Sequence, residues 1–138
     1  MRLTAVKTPD QLLKSVYLGD RACRGLRLDT VNKRFEVVVD LISRIRSADG
    51  LWNYYSEEDI PDGRLVFENV SAVSLEPPGP LPNDYILGIS VEQQEDRFVF
   101  KIRVASVEAE GSCEVTITIH ASEFYLSDPR TPDARIRD

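Results

Sequence analysis

Two neighbouring stretches decide the fold: Phe98-Val99-Phe100-Lys101-Ile102-Arg103-Val104 and Val115-Thr116-Ile117-Thr118-Ile119-His120-Ala121. Apolar residues recur at every second position in both, which is the period of a β-strand. Alternation of this kind specifies antiparallel strands with one buried and one wet face. Upstream, Leu87, Ile89 and Val91 continue the pattern and are expected to face the same interior as Phe98, Phe100, Ile102 and Val104. Connections at 92–97 and 105–114 keep the parity, setting Val91 opposite Phe98 and Val104 opposite Val115. A short last strand is expected from Phe124 to Leu126.

Working towards the N-terminus, Pro77-Pro78-Gly79-Pro80-Leu81-Pro82 is stiff and poor in donors, so it crosses an end of the sheet rather than joining it. Arg64 to Val70 reads as a strand, with Leu65 and Phe67 on one side, and Val73 and Leu75 restart it. Arg34 to Arg46 reads as one long strand in which Phe35, Val37, Val39 and Leu41 share a face. Val38 and Ile42 lie on the opposite face, and a symmetric homodimer is the expected way to cover them unless the first helix does. Val31-Asn32-Lys33 is a turn, preceded by a strand from Arg21 to Thr30 with a bulge or bend at Gly25. Thr8-Pro9-Asp10-Gln11 carries a capping-box pattern with proline at the first helical position. Leu12, Leu13, Val16 and Tyr17 follow at helical spacing, and Gly19 suits a helix stop, so a helix is expected from Pro9 to Leu18.

These elements add up to a mainly β (α+β) fold: a curved antiparallel sheet or half-barrel of about six to eight strands with one N-terminal helix. One domain is expected over residues 1–127. A flexible C-terminal tail, 128–138, follows it.

The chain has 138 residues, 42% of them hydrophobic and 29% charged, which suits one soluble domain with one core. No segment approaches the run of about 18 apolar residues that a membrane helix needs. Met1 to Lys7 holds no apolar leader, so a cytoplasmic setting is expected. The formal net charge of −6 disfavours binding to nucleic acid phosphates and suits either solubility or a basic protein partner. Cys23 and Cys113 are the two cysteines; they are too few for a disulfide framework or a zinc site and read as reduced, partly buried hydrophobes.

No catalytic motif, metal-ligand cluster or phosphate loop stands out, and no cofactor is expected. His120, the lone histidine, falls on the polar face, with Glu123 as its one carboxylate nearby in sequence; a solvated strand residue is the simpler reading. Lys101, Arg103 and Glu114 share that face as an ordinary row of charges. The irregular segment from Ser47 to Gly63 holds Trp52, Tyr54 and Tyr55, then Glu57, Glu58, Asp59 and Asp62. Its acidic spacing does not follow the calcium-loop template. Trp52, Tyr54, Tyr55, Glu57, Glu58 and Asp59 are the best candidate interaction patch, aromatic anchors beside an acidic run.

A helix ending near Tyr17-Leu18-Gly19-Asp20, a long hairpin, the strand Leu65-Val66-Phe67-Glu68-Asn69-Val70 and a β-rich end follow in order. In that order of parts the chain resembles small bacterial one-domain proteins of unknown function, among them immunity-protein families that neutralise polymorphic toxins. The resemblance implies an acidic, non-enzymatic, protein-binding role. The alternative is a small-ligand carrier or hydrolytic enzyme that uses the concave side of the sheet.

Overall fold

The computed structural model describes residues 8–18, 21–44, 59–108 and 111–137. Thr8 opens the helix α1, Pro9–Lys14, with the expected capping box: its Oγ1 accepts from the Gln11 N–H, and Gln11 Oε1 accepts from the Thr8 N–H. The helix is shorter than the apolar spacing predicts. Ser15 turns back on Leu12, donating both its N–H and its hydroxyl to the Leu12 carbonyl at 3.0 and 2.6 Å. Val16 and Tyr17, a β-branched and an aromatic residue, then pair as strand β1 (Val16–Tyr17) with Arg44 and Ser43. Gly19, the expected helix stop, lies outside the described residues.

The strands β2 (Cys23–Asp29), β3 (Arg34–Val39) and β4 (Leu41–Arg44) follow. A register shift between Cys23 and Gly25 supplies the expected bend. The single long strand predicted from Arg34 is broken at Asp40. There the backbone N–H donates to Ala22, the side chain accepts from the Ala22 N–H, and the carbonyl accepts from Asp62. Because these bonds replace the ladder, the alternation restarts. Phe35, Val37 and Val39 face inwards before Asp40, and Ile42 does so after it. Ile42 is therefore buried by its own chain, under Gly63, where a Cβ would stand 2.6 Å from Ile42 Cδ1. Of the two apolar residues expected to call for a second subunit or the helix, Ile42 is thus covered within the chain and Val38 stays half-buried.

β5 (Ile60–Pro61), β6 (Arg64–Glu68), β7 (Ala72–Glu76), β8 (Ile86–Gln94), β9 (Arg97–Glu108), β10 (Gly111–Ala121) and β11 (Glu123–Ser127) complete the chain. The described strands form three antiparallel sheets, in the orders β1-β4-β5, β7-β10-β9-β8 and β11-β6-β3-β2. The mainly β class and antiparallel pairing are as expected. There are more strands than expected because bends cut long extended stretches in two, and the described residues do not close into a barrel. The β6–β7 and β10–β11 stretches cross together from one four-stranded sheet to the other. At that corner Ser71 donates to the His120 carbonyl and Ser122 to the Glu68 carbonyl. Elsewhere the two sheets touch through a bridge between Ala22 and Tyr85.

Val104 stands opposite Val115, as the parity requires. The β8–β9 hairpin is tighter than expected: Gln94 pairs with Arg97, so Val91 faces Phe100 rather than Phe98. A bulge between Ile86 and Gly88 then puts Ile86 inside and leaves Leu87 49% exposed, which reverses the expected facing of that residue. No described helix is long and apolar enough to cross a membrane.

The register stacks the core in rows. Phe35, Phe67 and Phe124 lie abreast in one sheet, with Val37, Leu65 and Leu126 beside them. Val91, Phe100, Ile119 and Val73 lie abreast in the other, next to Ile89, Ile102, Ile117 and Leu75. All 5 phenylalanines of the chain join one cluster here. The Phe67 and Phe100 rings meet edge to face at 4.8 Å, Phe124 lies 5.5 Å from Phe100, and Phe35 and Phe98 flank them. Phe100 is fully buried at the centre. Phe100→Ala is therefore expected to destabilise the domain by about 3–5 kcal/mol in denaturant melts; a loss below about 1 kcal/mol would show that the sheets do not meet through this ring.

Candidate functional site

Of the residues singled out in the sequence, Trp52, Tyr54, Tyr55, Glu57 and Glu58 lie outside the described residues. Asp59 is described, and it is buried rather than presented to solvent. Its Oδ1 accepts from the Arg44 N–H at 3.3 Å, and its carbonyl accepts from Arg130 Nη2 at 3.1 Å. Arg130 in turn donates from both Nε and Nη2 to the Asp128 carboxylate, which these bonds hold below the usual carboxylate range. Asp59 thus ties the end of β4 to the chain after β11.

His120 pairs with Val99 and Ala72 on the outer face of its sheet. Among the described residues, no three His, Cys, Asp or Glu side chains gather as a metal site would require. Cys23 is buried and Cys113 exposed, and neither is in a disulfide. Burial pushes the Cys23 thiol up, away from a reactive thiolate. Gly88 fits beneath Arg103, whose Nη2 would stand 2.7 Å from a Cβ placed there. Arg103 is spent on Glu114, at 3.2 Å, and on the Leu87 carbonyl.

Two surfaces stand out among the described residues. The first is a groove of about 280 Å³ between α1 and β8. Leu13, Val16, Leu18, Ile86, Ile89 and Val91 line it, with the Asp10–Lys14 pair at its rim. α1 reaches this place because Leu12 plugs into the core while Leu13, one position on, points aside and stays half-buried. Past the Ala22–Tyr85 bridge, β8 pairs only with β9 among the described residues, so its outer edge has no strand partner there. Exposed Glu92, Glu95 and Asp96 follow along that edge and its turn, and none of them is in an ion pair.

The second surface is the outer face of the β11-β6-β3-β2 sheet, centred on Glu68 and Tyr125. The Tyr125 hydroxyl donates to Glu68 Oε1 at 3.1 Å, and Arg34 and Arg135 stand 3.4 and 3.0 Å from the same carboxylate. Arg135 and Arg137 also lie over the Tyr125 ring, at 4.9 and 5.4 Å from its centroid. Neither surface was marked by the sequence reading. The tail is expected to be flexible, yet Arg135-Ile136-Arg137 alternates as a short strand does.

Partial burial, and then the bond to Glu68, pushes the Tyr125 hydroxyl up from its ordinary range. A folded-state value above the unfolded one means that Tyr125 adds stability below about pH 10, lost as pH rises through the folded value. The tyrosinate absorbance that Tyr125→Phe removes should have its midpoint above about 10, and Glu68→Gln should lower it. A midpoint at or below the ordinary value would show that the hydroxyl is free.

No curated protein and no solved structure matches the chain. A family model does, over residues 7–138, which takes in the helix, all three sheets and the bridged tail. The chain therefore belongs to DUF6258, a family of unknown function.

Proposed function

We propose that this domain is a non-enzymatic protein-binding module that takes an extended, basic segment of a partner protein along the edge of β8. The observation that carries this reading is the unpaired edge of β8 beside an apolar groove, continued by Glu92, Glu95 and Asp96. Strand addition uses such an edge for affinity and alternate side-chain pockets for selectivity. A segment laid on β8 would place apolar side chains towards Leu13 and Ile89. Lysine or arginine would fall opposite the acidic end. The net charge of −6 favours encounter with a basic protein. A basic toxin held by an immunity-type protein is the finer form of this reading, and the cytoplasm its setting; two free thiols suit a reducing compartment.

The alternative, a carrier or hydrolase working from the concave side, has little support. The space between the two large sheets is filled by aromatic rings and branched aliphatic residues. The described carboxylates and His120 form no catalytic set.

Anisotropy with a labelled peptide alternating valine and lysine tests the proposal. Binding should weaken steeply between about 0.05 and 0.5 M salt, as exposed charge pairs are screened. The Glu92→Lys, Asp96→Lys double variant should weaken it about tenfold, some 1.4 kcal/mol. Gln93→Pro, which removes a backbone N–H that points away from β9 to the open edge, should abolish it in a folded protein. Equal binding by all three proteins would remove the edge of β8 from consideration.

A further inference from the structure

The edge of β11 is closed by the chain's own C-terminal segment. Leu126 and Ile136 exchange two backbone hydrogen bonds of 2.8 and 2.9 Å. Ile136 packs against the core, while Arg135 and Arg137 fall on the other side, over Tyr125. Arg135 bonds Glu68 at 3.0 Å, and Arg137 stands 3.9 Å from Glu123. The bound segment is thus read at three successive positions as arginine, aliphatic, arginine.

Two observations bear on whether this occupant can be replaced. The first is how lightly it is held. One bridge pair joins it to a strand of five residues, so among the described residues most of the β11 edge has no ladder partner. The guanidinium-bearing side chains of Arg135 and Arg137 are 50% and 31% exposed, and ion pairs so exposed contribute little. The second is that the cradle beneath does not depend on the segment. Glu68 is held by the Tyr125 hydroxyl and by Arg34, and Tyr125 stands on β11, paired through Val66 to β6. A longer strand with the same alternation would keep the side-chain contacts and add ladder bonds along residues 123–125.

We propose that the edge of β11 is a binding site for an extended arginine–aliphatic–arginine segment of another protein, and that residues 135–137 are its internal competitor. The site uses none of the residues that line the β8 groove and does not rest on the reading given for that groove. Tethering gives the internal segment a high effective concentration, so the intact chain binds such a partner more weakly than the edge alone would.

The test uses the full chain and a labelled heptapeptide alternating arginine and isoleucine. The Arg135→Ala, Arg137→Ala double variant should bind this peptide about threefold more tightly than the wild type, because its competitor is weakened. Adding Glu68→Gln and Tyr125→Leu to that variant should remove the gain. Saturating peptide on the wild type should speed hydrogen exchange at the Ile136 amide and slow it along β11, whatever protection it also gives β8. This second readout holds even where a variant folds poorly. Equal affinity for wild type and double variant, or peptide protection confined to β8, would overturn the proposal. So would a doubled mass in light scattering of the double variant, which would make a second copy of the chain the occupant.

Discussion

Everything in this domain is arranged around the meeting of Phe67 with Phe100 across the two large sheets. A sheet of four strands buries one face only if another layer lies against it, and here each sheet is the other's cover. Aromatic rings suit this contact because each removes a large apolar area from water and gains further from an edge-to-face approach. For the rings to meet, the chain must cross between sheets without losing register. It does so at the paired crossing of β6–β7 with β10–β11, where Ser71 and Ser122 carry hydrogen bonds to the neighbouring stretch through the bend. The Phe67 and Phe124 rings are set abreast by the pairing of β6 with β11, so the corner and the core specify each other.

What the sequence made legible was parity. The inward facing of Phe100, Ile102, Val104, Ile117 and Ile119 follows from a period of two and from their chemistry alone. What it concealed were the places where one hydrogen-bonding side chain or one extra residue changes the count. Asp40 restarts the alternation by bonding Ala22, and nothing in Val39-Asp40-Leu41 announces a partner 18 positions upstream. Leu87 looks like a core residue until the bulge beside Gly88 is counted. Ser15 ends α1 ahead of the expected glycine because Val16 and Tyr17 have a strand to join. In each case a tertiary hydrogen bond outweighed a local preference, which is the ordinary limit of reading one chain by itself.

The candidate surfaces were less legible than the core, for the same reason. An edge strand and a central strand share one alternation; only the sheet order says that β8 and β11 are edges. The two edges are handled differently. That of β11 carries a short piece of the chain's own C-terminal segment, held by arginines on an aromatic ring. That of β8 is flanked by a helix too short to lie along it and by carboxylates that discourage pairing with another copy of the same acidic chain. Each device limits unspecific association.

The pairing of β6 with β11 also sets an order of events during synthesis. Tyr125 and Glu68 are hydrogen-bonded across 57 positions of sequence. The β2–β3 hairpin and β6 emerge from a ribosome long before β11 does, and until then the Phe67 ring lacks one of its neighbours. Contacts of such long span form slowly, because the loop between them must first be closed. The nascent chain therefore presents a three-stranded apolar face until β9 has brought Phe100 over it. The sheet itself is completed later, when Phe124 arrives beside Phe67.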